Sequence, residues 1–459
     1  MGGRWRHDEE RRPIDAATRT LSRLPYNTGE TDMTPPVSRR HFAQVFALGG
    51  SAALFADRAW ARQSTTPPPL AAGGAAGGEV FWKSVRAQFV MPPDLSVMNA
   101  ANLCPASRPV VEVLTRETHT VDADPSPVNR ARLMPEKEET RKALAAFLRV
   151  TPDEIVITRN TSESNNLVSN GLDLKPGDEV IVHADNHPSN HVAWEEKAKR
   201  FGFSVVTVAQ KNPHPGMDYY VDAYAKAITP RTKVLTVTHM SSTVGDLMPV
   251  KALCELARRR GILSLLDGAQ SFGLLDVDLS DIQPDFYSGS AHKWPCGARE
   301  CGVLFVNRRA QDRLWPSIYS AYPGAVGFSR TFEGFGQRDE ATMIAFREAL
   351  VFQTTVGRGA IEARARALAT QLLNGLAALP VTVWTSPDPA LRVAVVSFQP
   401  GAHDATRLAT TLYQKDRVAI TTRGGQDRPG LRASPHLYNS PDEIDRLLSG
   451  LARELKARA

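Results

Sequence analysis

Cysteine is scarce in this sequence, and the few cysteines present form no recognisable motif. The chain contains four of them, Cys104, Cys254, Cys296 and Cys301. No pair has the spacing that is typical of a structural metal site, so the sequence predicts no metal. A protein that folds in a reducing compartment also needs no disulfide framework. We therefore expect buried free thiols, and a Cys296–Cys301 bridge stays open as an alternative.

The chain also lacks the signature of a nucleic-acid-binding surface. Its net charge is +6, but basic and acidic residues are interspersed, and no Lys/Arg run is interleaved with aromatic residues. A G-x-G-x-x-G motif between a strand and a helix is absent too, which argues against a dinucleotide-binding Rossmann site. The composition, 42% hydrophobic and 23% charged, is that of an ordinary globular protein of about two domains.

A twin-arginine export signal is predicted near the N-terminus. The segment SRRHF, residues 38–42, precedes a mildly apolar Ala/Gly-rich run, and residues 59–61 read A-W-A, the form of a cleavage site. The apolar run is too short and Gly-rich to be a stable membrane anchor. We therefore assign residues 1–61 to the signal region, with Met33 as a possible true start. The expected partner is the twin-arginine translocation machinery, and the expected location is periplasmic or extracellular after cleavage near Ala61.

The rest of the chain is interpreted as a linker and two domains. Residues 62–79, with three consecutive prolines and the run AAGGAAGG, are typical of a flexible linker. Apolar runs of strand length alternate with helical patterns over residues 80–345, which predicts a large α/β domain. Over residues 346–459 the pattern changes to long helices with a few strands between them, which predicts a smaller α+β domain. The strands expected in the large domain are residues 154–158, 179–183, 203–208, 233–238, 262–267, 285–288 and 302–306.

The stretch DFYSGSAHKWPCGAREC, residues 285–301, contains the first candidate catalytic group. It predicts a short strand and a small-residue turn that presents His292 and Lys293. A lysine on a rigid element, with its amine directed into a pocket, can form a Schiff base. Small residues before it, among them Ser290, would let a cofactor approach and let a hydroxyl reach a phosphate. An exposed loop lysine is the ordinary alternative, and the neighbouring motifs argue against it.

Asp267 is the second candidate, at the end of the apolar run in ILSLLDGAQ. The carboxyl ends of parallel strands face the ligand crevice, so we expect Asp267 to point into the pocket that holds Lys293. An aspartate there can pair with a pyridinium nitrogen and keep it protonated, which makes the ring an electron sink. A simple turn cap is the alternative interpretation.

The motifs LLDGAQ and SGSAHKW together resemble the class V aminotransferase group of fold-type I enzymes, which depend on pyridoxal 5'-phosphate (PLP). This group includes cysteine desulfurases, selenocysteine lyases, kynureninase and isopenicillin N epimerase. The sequence pattern DFY…HKW…CG is most similar to that of the isopenicillin N epimerase-like branch. The resemblance implies a mostly parallel sheet flanked by helices, a smaller α+β C-terminal domain, bound PLP and a homodimer with active sites at its interface.

Within this resemblance, a phosphate site is expected where the first strand feeds a helix. Backbone N–H groups, the helix dipole and the hydroxyls of Thr161 and Ser162 would face the PLP phosphate. A plain N-cap uses the same residues and is compatible with that role. His187 matches the family's ring-stacking histidine, which fixes the pyridine ring and can shuttle a proton.

Other positions enter the expected site through the resemblance alone. Ser242 replaces an asparagine that usually contacts the phenolic oxygen of the cofactor, and Gln270 can still hydrogen-bond that oxygen. Gln337 stands where the family has a threonine that reaches the phosphate of the partner subunit. His292 is placed beside the cofactor as the neighbour of the lysine.

Two residues are expected to contact the substrate. Asn102 lies in a segment that resembles the family's LNNA segment on the substrate side of the pocket. Arg432 lies in a segment that resembles the R-x-S-x-x-x-Y-N motif, in which the arginine clamps the α-carboxylate of the substrate.

These expectations combine into a PLP-dependent enzyme that acts at Cα of an amino acid or an amino-acid-derived metabolite. Lys293, Asp267 and His187 are the expected catalytic residues, in the manner of an epimerase or aminotransferase. Cysteine desulfurases use a loop cysteine ahead of the carboxylate-binding arginine, and residues 421–431 contain none, which disfavours persulfide chemistry. A β-eliminating lyase without a catalytic cysteine stays open, as does an exported, non-catalytic binding protein with the same fold.

Overall fold

Three β-sheets organise the chain in a computed structural model that describes residues 69–72, 74–423 and 427–456. These residues belong to one compact unit, Thr65–Ala459. The predicted export signal, and residues 62–68 and 73 of the predicted linker, lie outside the described residues. No helix in the described ranges is long and apolar enough to cross a membrane.

The strands are short and are numbered here in chain order. They are β1 Ser96–Val97, β2 Ile155–Thr158, β3 Glu179–His183, β4 Ser204–Val208, β5 Thr232–Thr238, β6 Leu263–Asp267, β7 Phe286–Ser290, β8 Gly302–Val306, β9 Thr382–Val383, β10 Val396–Gln399, β11 Val418–Ala419, β12 Thr421–Arg423 and β13 Gly430–Ala433.

The helices are numbered in the same way, and four short 3-10 turns accompany them. The helices are α1 Glu79–Arg86, α2 Arg108–Ala123, α3 Pro127–Arg130, α4 Leu133–Leu148, α5 Thr161–Gly171, α6 Pro188–Phe201, α7 Met217–Ala227, α8 Val250–Arg259, α9 Leu279–Ile282, α10 Ser329–Phe332, α11 Glu340–Val356, α12 Arg358–Leu376, α13 Ala405–Asp416 and α14 Pro441–Lys456. The 3-10 turns are Gly74–Gly77, Pro152–Glu154, Arg308–Arg313 and Pro389–Leu391.

The central sheet has seven strands in the order β2-β8-β7-β6-β5-β3-β4. The pairs from β7 to β4 are parallel, whereas β8 runs antiparallel to both of its neighbours, β2 and β7. Strands β2, β3, β7 and β8 are buried along their whole length, as expected of a sheet with helices on both faces. This architecture confirms the predicted α/β fold with a mostly parallel sheet.

A smaller antiparallel sheet, in the order β12-β13-β10-β9, forms the C-terminal part. Leu368 and Leu372 of α12 pack in one apolar cluster with Leu412 of α13 and Leu447 of α14. The expected small α+β region is thereby confirmed. The predicted domain boundary between residues 345 and 346 stays a prediction, and it falls inside α11.

The N-terminal segment of the described chain joins this C-terminal part. Strand β1 pairs in parallel with β11, and the Ala101 N–H donates a 3.0 Å hydrogen bond to the Ser434 hydroxyl. The segment around Asn102 is therefore held by the C-terminal part of the described chain.

Candidate active site

Asp267 is the centre of a buried polar network at the carboxyl edge of the central sheet. It ends β6 and is 4% exposed. Its Oδ2 accepts hydrogen bonds from the Nδ2 groups of Asn165, at 2.9 Å, and Asn190, at 3.2 Å. Its Oδ1 accepts the backbone N–H of Ala269 at 3.0 Å. A buried carboxylate held on both oxygens keeps a fixed orientation, as needed to bind a cationic ring nitrogen.

Lys293 follows the end of β7 by three residues and lies near this carboxylate. Its side chain makes no hydrogen bond or ion pair with any of the residues that the structure describes. Burial lowers the pKa of the Lys293 amine from 10.5 to about 8, with Arg432 lowering it further and Asp267 opposing the shift. A larger share of the amine is therefore neutral and nucleophilic near neutral pH than is usual for lysine.

A candidate anion cradle lies where β2 leads into α5. Asn160 caps this helix by accepting the backbone N–H of Glu163. The backbone N–H of Thr161 donates to the Ser290 hydroxyl at 2.8 Å, and the two side-chain hydroxyls lie 2.7 Å apart. Thr161 and Ser290 are buried, whereas Ser162 is partly exposed. Helix N–H groups and hydroxyls in this arrangement can bind a phosphate.

Gly302 lies where two backbone segments approach each other beside this cradle. It begins β8, the antiparallel strand between the ends of β2 and β7. A Cβ atom here would lie 2.6 Å from the Gly289 carbonyl oxygen and 2.8 Å from the Cα of Asn160. Glycine therefore permits the close approach of the two backbones that shape the cradle.

His187 stands at the N-terminus of α6 with its ring open to the site. Its Nδ1 accepts the Ser189 backbone N–H at 3.2 Å, which makes it the N-cap. Partial burial lowers the pKa of His187, Lys293 and Arg432 lower it further, and Asp267 opposes them. The imidazole is thus close to the lysine, the carboxylate and the arginine. An exposed flat ring in this position suits stacking on an aromatic cofactor.

Arg432 reaches the same site from β13 of the smaller sheet. Its NH1 donates to the Ser242 carbonyl at 2.7 Å, and its buried Nε has no partner among the described residues. Burial and the neighbouring Arg423 lower the pKa of Arg432 to about 10. The guanidinium therefore has capacity left for a substrate carboxylate. The contact from Ser242 uses its backbone carbonyl rather than its hydroxyl.

Gln270 forms two hydrogen bonds inside the protein. Its Oε1 accepts from Trp294 Nε1 at 2.8 Å, and its Nε2 donates to the Ala101 carbonyl at 2.9 Å. One amide hydrogen is left to bind a phenolic oxygen. Asn102, the residue after Ala101, is exposed. His292 is half-buried, and burial, then Lys293 and Arg299, lower its pKa to about 4.

Gln337 does not join the hydrogen-bonded groups around Asp267. It is exposed and lines a cavity of about 300 Å³ together with Lys137, Tyr322 and Arg338. Its expected contact with the phosphate of a partner subunit stays a prediction.

Sequence reasoning missed Asn165, Asn190 and Arg423. Asn165 lies four residues after Thr161, so helical periodicity puts both on one face of α5. Asn190 likewise lies in the first turn of α6. A polar residue in the first turns of a helix that follows a buried strand was the available signal. Arg423 could be found only from the strand register, which pairs β12 with β13 and places Thr421 opposite Arg432.

The described residues fit PLP at each polar part of that molecule. The cradle offers N–H and hydroxyl groups for the phosphate, Asp267 offers a carboxylate for the ring nitrogen, and Lys293 offers an unpaired amine for the aldehyde. The fit rests on this chain's own donor and acceptor groups.

Comparison with known proteins agrees with this geometry. The sequence model of the aminotransferase class-V family matches residues 109–447. Isopenicillin N epimerase of Amycolatopsis lactamdurans is 30% identical over 392 residues, which cover 81% of this chain and 98% of that protein. A cysteine desulfurase of Haloferax volcanii is 30% identical over 347 residues, covering 70% of this chain and 80% of that protein.

The solved structure of a cysteine desulfurase from Thermococcus onnurineus NA1 shares the fold. Its TM-score is 0.74 at 24% sequence identity, and the match covers 82% of this chain and 98% of that chain. Since the family match spans well over half of the sequence, and a relative at 30% identity spans most of it, this chain belongs to the aminotransferase class-V family of PLP-dependent enzymes.

Proposed function

We propose that this enzyme acts at the Cα atom of an amino acid or an amino-acid-derived metabolite, as an epimerase or aminotransferase. The observation that carries the proposal is the unpaired amine of Lys293, whose pKa is shifted by both Asp267 and Arg432. An amine that can move a proton thus lies near a cation that can hold a carboxylate. Reactions at the carbon next to that carboxylate need both groups.

One group of residues at this site holds the cofactor. Bound PLP supplies an electron sink for the negative charge that develops at Cα. Asp267 holds a proton on the ring nitrogen, and Asn165 and Asn190 orient its carboxylate. The Thr161 N–H and the Ser290 hydroxyl bind the phosphate and fix the position of the ring.

Lys293 and Arg432 act on the substrate. Arg432 binds the α-carboxylate through its free guanidinium N–H groups and so places Cα within reach of Lys293 Nζ. The neutral amine takes the Cα proton, and inversion follows when a proton returns to the opposite face of Cα. His187 covers the ring and excludes water from that side of the site.

Persulfide chemistry is disfavoured by the positions of the cysteines. The segment from Thr421 to Leu431, which precedes Arg432, contains no cysteine. All four cysteines of the chain are buried, and none lies in that segment. β-Elimination that needs no nucleophilic cysteine is a separate outcome of the test below.

We further propose that the protein is exported by the twin-arginine route and is a homodimer. The N-terminal Arg39-Arg40 motif supports the export route. The segment between β8 and α11 exposes four large apolar side chains, Trp315, Ile318, Tyr319 and Tyr322, which supports a buried partner interface there. Tyr322 and Gln337 line one cavity, so this interface would include the residue expected to reach the partner's phosphate.

The test follows products from a panel of L- and D-amino acids in D₂O with the PLP-loaded enzyme. Deuterium at Cα with inversion supports an epimerase, and conversion to a keto acid with amine transfer supports an aminotransferase. Release of ammonia and the β-substituent would instead identify the enzyme as a lyase. Lys293→Ala should abolish every product, whereas Lys142→Ala, an exposed lysine on α4, should retain them. No reaction with any substrate in the wild-type enzyme would contradict the proposal.

A further inference from the structure

Two cysteines and a histidine that lie far apart in the sequence meet beside the active site. Potential ligand atoms of Cys104, Cys296 and His436 all lie within 4.8 Å of one another, and the three residues are buried. Cys104 ends the substrate-side segment, Cys296 follows Lys293 by three residues, and His436 follows β13. This Cys/Cys/His cluster therefore joins the catalytic loop to both ends of the described chain.

His436 is oriented as a metal ligand would be. Its Nε2 lies 2.7 Å from the Trp294 carbonyl oxygen, which can only accept a proton, so Nε2 carries the hydrogen. The other ring nitrogen, Nδ1, then presents a lone pair. It is buried and has no hydrogen-bond partner among the described residues, and the side chain is 0% exposed. Histidine ligands usually hold their second nitrogen against a carbonyl or carboxylate in this way.

Aromatic contacts fix the histidine ring. Trp294 meets it edge-on at a centroid distance of 5.0 Å, and Tyr438 does so at 5.7 Å. The Tyr438 hydroxyl also donates to Cys104 Sγ at 3.5 Å. The cluster is thus preorganised by packing.

Charge and ligand chemistry select the ion. Two thiolates and one neutral imidazole around a divalent cation form a neutral group, so the cluster can stay buried without an uncompensated charge. Thiolate and imidazole ligands together favour Zn²⁺ among the common divalent ions. Oxygen-preferring ions such as Mg²⁺ and Ca²⁺ would lack ligands here.

We propose that Cys104, Cys296 and His436 form a structural Zn²⁺ site that fastens the loop of Lys293 to the substrate-side segment and the C-terminal part. On binding, each thiol loses its proton to solvent, two Zn–S bonds and one Zn–N bond form in place of three waters of the hydrated ion, and one water stays as the fourth ligand. The site is independent of the reaction proposed above, because none of the three residues is assigned to that reaction.

The test is the zinc content of the purified, PLP-loaded full chain, measured by inductively coupled plasma mass spectrometry. We expect about one zinc per wild-type chain. Cys104→Ala, Cys296→Ala and His436→Leu should lose it. Cys254→Ala and Cys301→Ala remove buried thiols outside the cluster and should keep it.

A second measurement needs no variant and so does not depend on their folding. Wild-type protein stripped with a chelator is loaded with Co²⁺ under reducing conditions, and the ligand-field bands of tetrahedral thiolate-bound Co²⁺ are recorded in the visible region. These bands, displaced by added Zn²⁺, support the site. Their absence together with no bound zinc, or unchanged zinc in all three cluster variants, would overturn it. A Cys104–Cys296 disulfide found by mass spectrometry in the native protein would overturn it as well.

Discussion

Lys293 has an amine whose surroundings favour the neutral form. Burial is the main cause, and its pKa of about 8 lies well below the ordinary lysine value of 10.5. The neighbouring Asp267 limits the shift, because its negative charge favours the ammonium form. The reactive group is therefore tuned by its position between one carboxylate and one guanidinium.

The first prediction concerns the pH dependence of cofactor attachment. Only the neutral amine of Lys293 can attack the PLP aldehyde. Between pH 6 and 8, the attachment rate should rise about tenfold per pH unit and then level off above the lowered pKa of about 8. Absorbance changes on mixing the apoprotein with PLP would measure it. A rate still rising with the same slope above pH 9 would show an unshifted lysine, and Lys293→Ala should show no attachment.

Sequence analysis identified the charged residues of the candidate site. Lys293, Asp267 and Arg432 belong to recognisable motifs, and the structure brings them together from two different sheets. Asn165 was missed, because the role of a neutral amide depends on its burial against Asp267. The Cys/Cys/His cluster was missed, and no metal was expected, because its three residues come from distant segments and have no local spacing.

At the scale of secondary structure, the N-terminus of α5 and the end of β7 together form the anion cradle. Ser290 accepts the Thr161 N–H at 2.8 Å, so strand and helix meet through a hydroxyl. A phosphate can replace or extend that bond, because both groups remain polar and directed to the same space. The cradle therefore depends on two separate elements.

The second prediction tests this cradle. Ser290→Ala should weaken PLP binding by about tenfold to hundredfold, the usual effect of losing a hydrogen bond to a charged group. Binding of pyridoxal, which has no phosphate, should change little. Fluorescence titration measures both ligands. Ser164→Ala is the control, since its buried hydroxyl donates to the Val303 carbonyl within the same helix–sheet interface. Equal losses for pyridoxal and PLP would contradict a phosphate role for Ser290.

Helix α4 is fixed to the central sheet by a buried carboxylate. Glu333 pairs with Arg141 and, at 3.2 Å, with Lys137, and it accepts the Ile157 backbone N–H at 2.5 Å. Although burial opposes ionisation, Arg141 and Lys137 hold the pKa of Glu333 below its ordinary value. The pairing therefore contributes stability while the carboxylate is charged.

The third prediction concerns this contact. Glu333→Ala should lower the free energy of unfolding by about 3–5 kcal/mol, because the buried Lys137 loses its partner and the buried Arg141 keeps only Glu138 as an anionic partner. The stabilisation by Glu333 is present above the unfolded pKa and is lost as the pH falls through the lower folded pKa. Urea unfolding between pH 3 and 7 should therefore show a smaller acid-dependent loss in the variant than in wild type. Glu139→Ala, on the exposed face of α4, should change little, and a similar loss there would contradict the assignment.

Strand positions were predictable from the sequence because buried strands are short apolar runs. Strands β3 and β8 match the expected ranges, and β5 begins one residue early. Helix starts are harder to predict, because the residue that caps a helix is polar and lies outside its apolar pattern. Asp339 caps α11 by accepting the Thr342 N–H, a polar signal that apolar periodicity does not contain.

At the scale of the whole molecule, α1 anchors the N-terminal end of the described chain. Phe81, Trp82 and Val85 are buried, and Glu79 forms an ion pair with Arg364 of α12. The Arg364 guanidinium also lies 5.2 Å from the Trp82 ring centroid. This helix therefore stabilises the small C-terminal part although it precedes the large sheet in sequence.

The fourth prediction compares two truncated proteins. A chain that begins at Thr65 should unfold at the same urea concentration as the full chain, because it retains α1. A chain that begins at Ala87 should lose several kcal/mol, since burial of each large apolar side chain contributes roughly 1.5–3 kcal/mol. Circular dichroism during urea unfolding measures the difference. Equal midpoints for the two truncations would show that α1 contributes nothing to stability.

The contact between Ala101 and Ser434 affects how the protein can fold during its synthesis on the ribosome. Ala101 and its hydrogen-bond partner Ser434 are 333 positions apart in the chain. At a synthesis rate of about 5–20 residues per second, the substrate-side segment waits on the order of 20 to 60 s for that partner to emerge. The large sheet can form in that interval, but the pocket cannot close. A nascent chain is therefore inactive until translation is almost finished.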